Sequence, residues 1–162
     1  MDINSYFKQA NELYNIFQSD KTKIWYFVQH NSSKSSFEIY TKLCLVKSNR
    51  NDNVSVCKIE YRIGYSVSFS APVLYLRAED ESGSSLDFNE FKNFLIDLNF
   101  DVDYLKYLIQ VEHPYIGLPY FSMHPCKTNI AISELKRVVF IENSLKLWIQ
   151  TFGNLFGLTI SE

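Results

Sequence analysis

The chain has 162 residues, which suits a single domain over residues 1–162, and 46% of them are hydrophobic, so it can fill a core and is not a candidate for wholesale disorder. The formal charge of −2 leaves no basic footprint, and nucleic acid is therefore not expected as a partner. No apolar run approaches the roughly 18 residues that a membrane span needs, so no transmembrane segment is expected.

The chain opens with a predicted amphipathic helix. Apolar residues recur at helical spacing over 6–17, and Asn4 or Ser5 is available as its N-cap. The aromatic and β-branched run KIWYFV (23–28) then predicts a short, mostly buried strand.

A long hairpin and a further strand are predicted next. Residues 37–45 alternate between apolar and polar, which is typical of a strand with one wet face. The turn-rich segment 48–53 leads into a second long strand, 54–65, and APVLYLRAE (71–79) predicts one more strand.

The second half is predicted to be mainly helical around an irregular centre. Asp87 and Glu90 have the spacing of a capping box at the start of a short helix, whereas 101–111 is ambiguous between helix and strand. An apolar face over 145–156 predicts a closing helix. The order of elements predicts an α+β fold in which an antiparallel sheet is backed by helices.

The stretch HPYIGLPYFSMHPCKT (113–128) concentrates stiffness and reactive chemistry. Pro114, Pro119 and Pro125 each fix their own φ and push the preceding residue away from the helical region, while Gly117 is free to take a turn. We therefore predict a stiff, non-helical loop.

That loop presents Cys126 at a defined place. His124 and Lys127 lie beside it in sequence, and nearby positive charge favours a thiolate. The start, MDINSYFKQANEL, has no apolar stretch of the secretory type, so a cytoplasmic protein with reduced thiols is expected. Cys44 and Cys57 fall within strand patterns and are expected to be small buried residues.

Four interpretations of Cys126 follow from the residues alone. In the first, it is a small buried apolar residue. In the second, it binds a metal ion together with His113 and His124, although the sequence has no CxxC pair and no fourth ligand at a familiar spacing. It is the nucleophile of a hydrolase, which also requires a positioned imidazole and an orienting group. Or it is a carrier that accepts an acyl group by thioester exchange and passes it to an amine.

The stretch EHPYIGLPYFSMHPCKT (112–128) resembles the signature of the autophagy-related protein 10 family of E2-like enzymes. The matching positions are Glu112-His113-Pro114, Gly117, Pro119, Tyr120-Phe121, His124-Pro125-Cys126 and Thr128. The tail LKLWIQTFGNLFGL (145–158) is similar to the closing helix of that family. The autophagy-related protein 3 family shares His-Pro-Cys, but it carries large charged insertions that are absent here.

The resemblance implies a UBC-type E2-like core with an antiparallel β-meander backed by helices and an extended accessory β-hairpin. Cys126 would receive the ubiquitin-like autophagy-related protein 12 as a glycyl thioester from the E1-like autophagy-related protein 7. It would then transfer it to a lysine of autophagy-related protein 5, without a cofactor or metal, in the cytoplasm or at the autophagosome assembly site. An inactive E2-like binding module, or an E2-like enzyme of the protein 3 type, is the alternative.

One position departs from ordinary ubiquitin-conjugating enzymes, which carry His-Pro-Asn where this chain has Tyr115 after its His-Pro. Removing one oxyanion donor typically slows a reaction by about a hundredfold or more, so another group is expected to substitute. Tyr115 itself, Asn129 and a strand tyrosine such as Tyr61 are the candidates. His113 is expected to brace the loop, whereas His124 is left open between bracing and catalysis.

The hairpin 37–63 is the predicted docking platform for the acceptor. Glu38, Tyr40 and Lys42 are expected on its outer, wet face, with Val56 on the partner strand. An exposed strand edge can be completed by another chain, and such docking would fix the acceptor lysine relative to the thiol.

Overall fold

The computed structural model describes residues 1–19, 22–33, 36–48, 54–98, 100, 102–125, 128, 133–134 and 143–160. Three residues discussed above, Cys126, Lys127 and Asn129, lie outside this set.

One six-stranded antiparallel sheet, in the order β1-β2-β3-β4-β6-β5, carries helices on one face. In chain order the elements are α1 (Ile3–Phe17), β1 (Trp25–Gln29), β2 (Phe37–Ser48), β3 (Val54–Ser66), β4 (Ala71–Glu79), α2 (Phe88–Asp97), α3 (Val102–Leu105), β5 (Leu108–Glu112), β6 (Pro119–Met123) and α4 (Ser144–Trp148), which continues as a π-helical turn (Ile149–Gly153) and a 3-10 turn (Asn154–Phe156). The predicted α+β class is confirmed.

Helix α1 buries the apolar stripe that the sequence indicated, but it begins earlier than predicted. The N-cap is Asp2, whose carboxylate accepts hydrogen bonds from the backbone N–H groups of Asn4 and Ser5, both at 2.9 Å. A carboxylate is a strong acceptor at the positive end of a helix, so Asp2 caps in place of the predicted Asn4 or Ser5. The capping box of Asp87 and Glu90 is present at α2 as predicted.

The β2–β3 hairpin is longer than its neighbours in the sheet. β1 pairs with β2 over Phe37–Thr41, and β4 pairs with β3 from Lys58 onward. Among the described residues, Lys42–Ser48 and Val54–Cys57 therefore extend beyond the flanking strands. This confirms the expected extended hairpin.

The helix-facing side of the sheet forms the apolar core. It includes Ile59, Tyr61 and Ile63 of β3, all fully buried, and Trp148 of α4 packs into the same cluster. The Tyr61 hydroxyl donates to the Phe156 carbonyl at 2.7 Å. The suggestion that Tyr61 supports the thiol is therefore wrong, because its side chain is committed to the core.

In three segments the structure differs from what the sequence predicted. KIWYFV contributes to β1, which is an edge of the sheet, so Tyr26 is exposed while Trp25 is buried. Segment 101–111 contains both structures, α3 and then β5. The loop predicted over 113–128 includes β6, because Pro119 is its first residue, where a strand tolerates a missing N–H.

Candidate active site

The connection between β5 and β6 is a closed turn, residues 113–118. The His113 N–H donates to the Leu118 carbonyl at 2.9 Å, and the Gly117 N–H donates to the His113 carbonyl at 3.0 Å. Gly117 has φ +69°, a left-handed conformation that glycine adopts without a steric penalty. Glycine is therefore the residue that the turn requires at this position.

This turn lies across the face of the sheet that points away from the helices, here called the open face. β5 is four strands from β2 in the sheet order, roughly 19 Å at ordinary strand spacing, yet His113 directly after β5 contacts Glu38 of β2. The His113 ring also packs against Tyr75, at 4.6 Å between centroids, and Tyr115 stacks on His30 at 4.9 Å. The turn thus reaches from one edge of the sheet to the end of β1.

Glu38 lies beneath this turn, so its expected place on a wet surface is wrong. Its side chain is 1% exposed, and its carboxylate contacts His113 Nε2 and His30 Nε2, each at 2.8 Å, and Arg62 Nη1 at 3.2 Å. Burial alone would raise the pKa of Glu38, but the contacts with His113 and His30 outweigh it and lower that pKa. The strand alternation was read correctly, but the covering turn could not be seen from it.

The tautomer of His113 follows from its second nitrogen. Nδ1 accepts a hydrogen bond from the Tyr115 N–H at 3.3 Å, so the proton of the neutral ring is on Nε2, which faces Glu38. The Glu38 carboxylate approaches the ring N–H at an oblique angle and does not form a well-aligned hydrogen bond. The contact is therefore mainly an electrostatic attraction, which is stronger where water is excluded. With both nitrogens engaged, His113 has the geometry of a brace.

A second carboxylate, Glu60, continues the polar cluster. It contacts Lys42 Nζ at 2.9 Å and Arg62 Nε, and it accepts from the Tyr120 hydroxyl at 2.7 Å. Burial would raise the pKa of Glu60, but Lys42, Tyr120 and Arg62 together lower it to about 2. Within this cluster the carboxylates of Glu38 and Glu60 lie against the cationic side chains of Arg62 and Lys42. Arg62 also lies over the Tyr40 ring at 4.3 Å.

A groove of about 340 Å³ brings the two ends of the reactive stretch together. Glu112 at the end of β5 and Pro114 of the turn line one side, and His124 and Pro125 line it from the end that leads into Cys126. Other side chains of the open face and the β3–β4 turn complete its lining, among them Phe69, Val73, Tyr75, Val111 and Ser122. His124 is exposed, and its ring meets Phe69 edge-on at 5.0 Å.

The predicted acceptor residues have different surroundings. Lys42 is exposed, while Tyr40 is half-buried and sits in a strand that is paired on both sides, with Tyr26 and with Arg62. Val56 is half-buried, and its N–H donates to Glu81 Oε1 at 3.1 Å. A proline at Tyr40 would therefore disrupt the sheet itself and cannot serve as a docking test.

Sequence reasoning missed the residues that give the open face its polar centre: His30, Glu60, Arg62, Gly64 and Tyr75. Charged residues within strand alternation were a partial signal, since Glu38, Glu60 and Arg62 all point to one face. The residues that they contact are distant in the chain, so a local sequence pattern cannot predict these contacts.

Among the described residues, no cluster of three or more His, Cys, Asp or Glu side chains is arranged to hold a metal ion. The helices in the described part of the chain are too short or too polar to cross a membrane.

The family comparison covers nearly the whole chain. Residues 6–162 match the family model of the autophagocytosis associated protein, active-site domain. Over 117 residues the chain is 31% identical to the ubiquitin-like-conjugating enzyme ATG10 of Homo sapiens, covering 65% of this chain and 51% of that protein. The enzyme of the same name from Dictyostelium discoideum is 32% identical over 117 residues, covering 62% and 51%. The chain thus spans about half the length of the curated relatives it matches.

A solved structure gives the same architecture. The crystal structure of the autophagic E2 Atg10 superposes with a TM-score of 0.64 at 18% identity and covers 97% of both chains. The fold of this chain is accordingly that of an E2-like protein.

Proposed function

The chain belongs to the autophagocytosis associated protein family, in its active-site domain, and from this premise we propose that it is an E2-like conjugating enzyme of autophagy. Cys126 accepts the C-terminal glycine of the ubiquitin-like autophagy-related protein 12 from the E1-like autophagy-related protein 7. A thioester bond forms and the thiol of the E1-like enzyme is released. A lysine amine of autophagy-related protein 5 then attacks the thioester carbonyl, which gives an isopeptide bond and returns the Cys126 thiol.

One observation carries this proposal. The turn with Pro114 and the segment His124–Pro125, which runs directly into Cys126, line the same groove. A carrier thiol needs a cleft beside it, because the incoming chain must bring its terminal carbonyl to the sulfur in a fixed orientation. Four described residues of the reactive stretch, Glu112, Pro114, His124 and Pro125, line this groove, which supports a cleft beside the carrier thiol.

The other two cysteines have no comparable setting. Burial raises the pKa of Cys57 to about 11, so its thiol is protonated at neutral pH and is a poor nucleophile. Cys44 is exposed, so its predicted burial is wrong, and it lies on the extended part of the hairpin, in the pair Cys44↔Lys58. These positions support Cys126 as the carrier and supply its controls.

The extended hairpin is the proposed docking platform for the acceptor. Val56 directs its N–H to the Glu81 side chain, away from β2, at a point where β4 has already ended. Among the described residues no strand occupies that edge, so an acceptor strand can pair there. Lys42 adds an exposed charge to the same hairpin, whereas the buried Glu38 has no part in docking.

The decisive experiment is a loading assay. The protein is incubated with autophagy-related proteins 7 and 12 and ATP, and a non-reducing gel is compared with a reducing one. A thiol-sensitive adduct is expected for the wild type and for Cys44→Ala. It should be absent for Cys126→Ala, and Cys126→Ser should give a thiol-resistant oxyester.

Folding of each variant is checked by thermal denaturation. A folded Cys126→Ala that still loads would assign the thioester to another cysteine. A wild-type protein that never forms an adduct would favour the inactive binding module.

A further inference from the structure

The buried carboxylate of Glu38 connects the reactive turn to the centre of the sheet. Oε1 faces His113 of the turn, and Oε2 faces His30 at the end of β1 and Arg62 of β3. Glu38 therefore contacts three separate elements that are brought together only by the fold.

Gly64 makes this arrangement sterically possible. A Cβ atom at Gly64 would lie 3.3 Å from Glu38 Oε1, which is tighter than ordinary contact, and 3.4 Å from Tyr75 Cε2, at the lower limit of van der Waals contact. Gly64 is in β3 next to Ile63, which pairs with Ile39 of β2, so the side chain of Glu38 crosses the strand at the glycine. Glycine in a strand interior is unfavourable by itself, and a close approach of this kind is a reason for its presence.

In the contact between Glu38 and His113, neither of the two facing atoms has an alternative partner. Glu38 Oε1 and His113 Nε2 have no other hydrogen-bond partner among the described residues, and both side chains are buried, at 1% and 0% exposure. Removing Glu38 leaves His113 Nε2 buried without a partner, and removing His113 leaves Glu38 Oε1 without one, although Oε2 keeps His30 and Arg62. The turn then loses its contact with the buried carboxylate, while its backbone hydrogen bonds and the stacking of Tyr115 on His30 remain.

We propose that Glu38 is a positioning residue that holds the turn 113–118 on the open face and thereby sets the wall of the groove. Pro114 is the link, because it follows His113 directly and lines the groove opposite His124 and Pro125. The catalytic consequence of this inference rests on the proposed function, whereas its structural part does not.

The first test measures amide hydrogen exchange in Glu38→Gln, which removes the charge and keeps the shape. The amides of Tyr115 and Gly117 should exchange about ten- to a hundredfold faster, the usual effect of leaving a buried polar group without its partner. The matched control is Glu60→Gln, another carboxylate of the same face that pairs with Arg62. Glu60 shares Arg62 with Glu38 but does not contact the turn, so in this control the turn amides should be accelerated much less than in Glu38→Gln.

The second test is a double-mutant cycle on single-turnover transfer from the preformed thioester. If Glu38 acts through His113, then the double variant E38Q/H113N should be no slower than either single variant. A residue that only adds stability would instead give additive losses.

Unchanged exchange of the Tyr115 and Gly117 amides in Glu38→Gln would overturn the inference, and so would equal acceleration in Glu60→Gln. Should Glu38→Gln fail to fold, Glu38→Asp keeps the charge but is one methylene shorter, which withdraws the carboxylate from His113; normal exchange of the turn in that variant would count against the proposal. A wild-type protein that takes no thioester would refute the proposed function, while the exchange comparison would still decide the role of Glu38.

Discussion

Replacing Gly117 by alanine tests whether the turn 113–118 matters for chemistry beyond its stability. At φ +69° a Cβ atom would find Glu112 Oε1 at 3.9 Å as its nearest neighbour, which is an ordinary contact. The variant is therefore not strained by packing. Its cost is that of a left-handed backbone, about 1–2 kcal/mol.

The chain offers a matched control. Gly83, in the turn after β4, has φ +85° with nothing within 4 Å of an added Cβ atom. Gly83→Ala should therefore lose the same stability, about 2–4 °C of melting temperature per kcal/mol in a chain of this length. Gly83 lies far from the reactive stretch in sequence, so this variant controls for the loss of stability alone.

The two variants are expected to differ in function. Strain at Gly117 is relieved when the turn opens, so opening becomes about five- to thirtyfold more favourable. The His113 amide, which donates to the Leu118 carbonyl, should exchange faster by that factor, and transfer from the loaded thioester should slow measurably, by at most that factor. Gly117→Asn should restore part of the amide protection and part of the transfer rate, because asparagine tolerates the left-handed conformation better than alanine.

The measurements are urea denaturation for stability, amide exchange for the turn and single-turnover transfer for activity. Equal slowing of transfer in Gly83→Ala and Gly117→Ala would refute the reasoning, because the effect would then follow global stability. A destabilised Gly117→Ala with normal transfer would refute it as well.

Two further predictions concern the open face and the hairpin. Because the folded pKa of Glu60 is about 2 and the ordinary value is 4.5, its stabilisation is present above pH 4.5 and is lost as the pH falls toward 2. Glu60→Gln should cost up to about 3 kcal/mol at pH 7, and the difference from the wild type in urea unfolding should shrink on acidification; a constant difference would contradict the assignment. Val56→Pro should retain the β2–β3 ladder, since the N–H of Val56 bonds the Glu81 side chain. It should slow transfer to the acceptor while loading of Cys126 continues, and normal transfer in the folded variant would exclude that edge as the platform.

Local signals in the sequence were sufficient for most elements. Helix α1 and the capping box of α2 were recognised because their patterns involve residues three or four apart. The β2–β3 hairpin was recognised from alternation and from its turn composition. The ambiguous segment 101–111 could not be assigned because it holds two short elements, each below the length at which periodicity distinguishes helix from strand.

The candidate site, like the fold, was predicted only in part from the sequence. The sequence by itself determined that a segment with two histidines, three prolines and a glycine free to turn leads into Cys126, because proline restricts the backbone locally and glycine permits a turn. It also determined the family, through a motif of contiguous residues.

Only the tertiary structure decided where that segment lies. The turn closes over the open face, and its anchor is Glu38, 75 positions before His113 in the numbering of the chain. Alternation assigned Glu38 to the correct face but could not show that this face is covered there, since a strand pattern reports only which side chains share a side. Burial of a charged residue depends on partners that long-range packing brings together, and those partners carry no signal in the residues next to it.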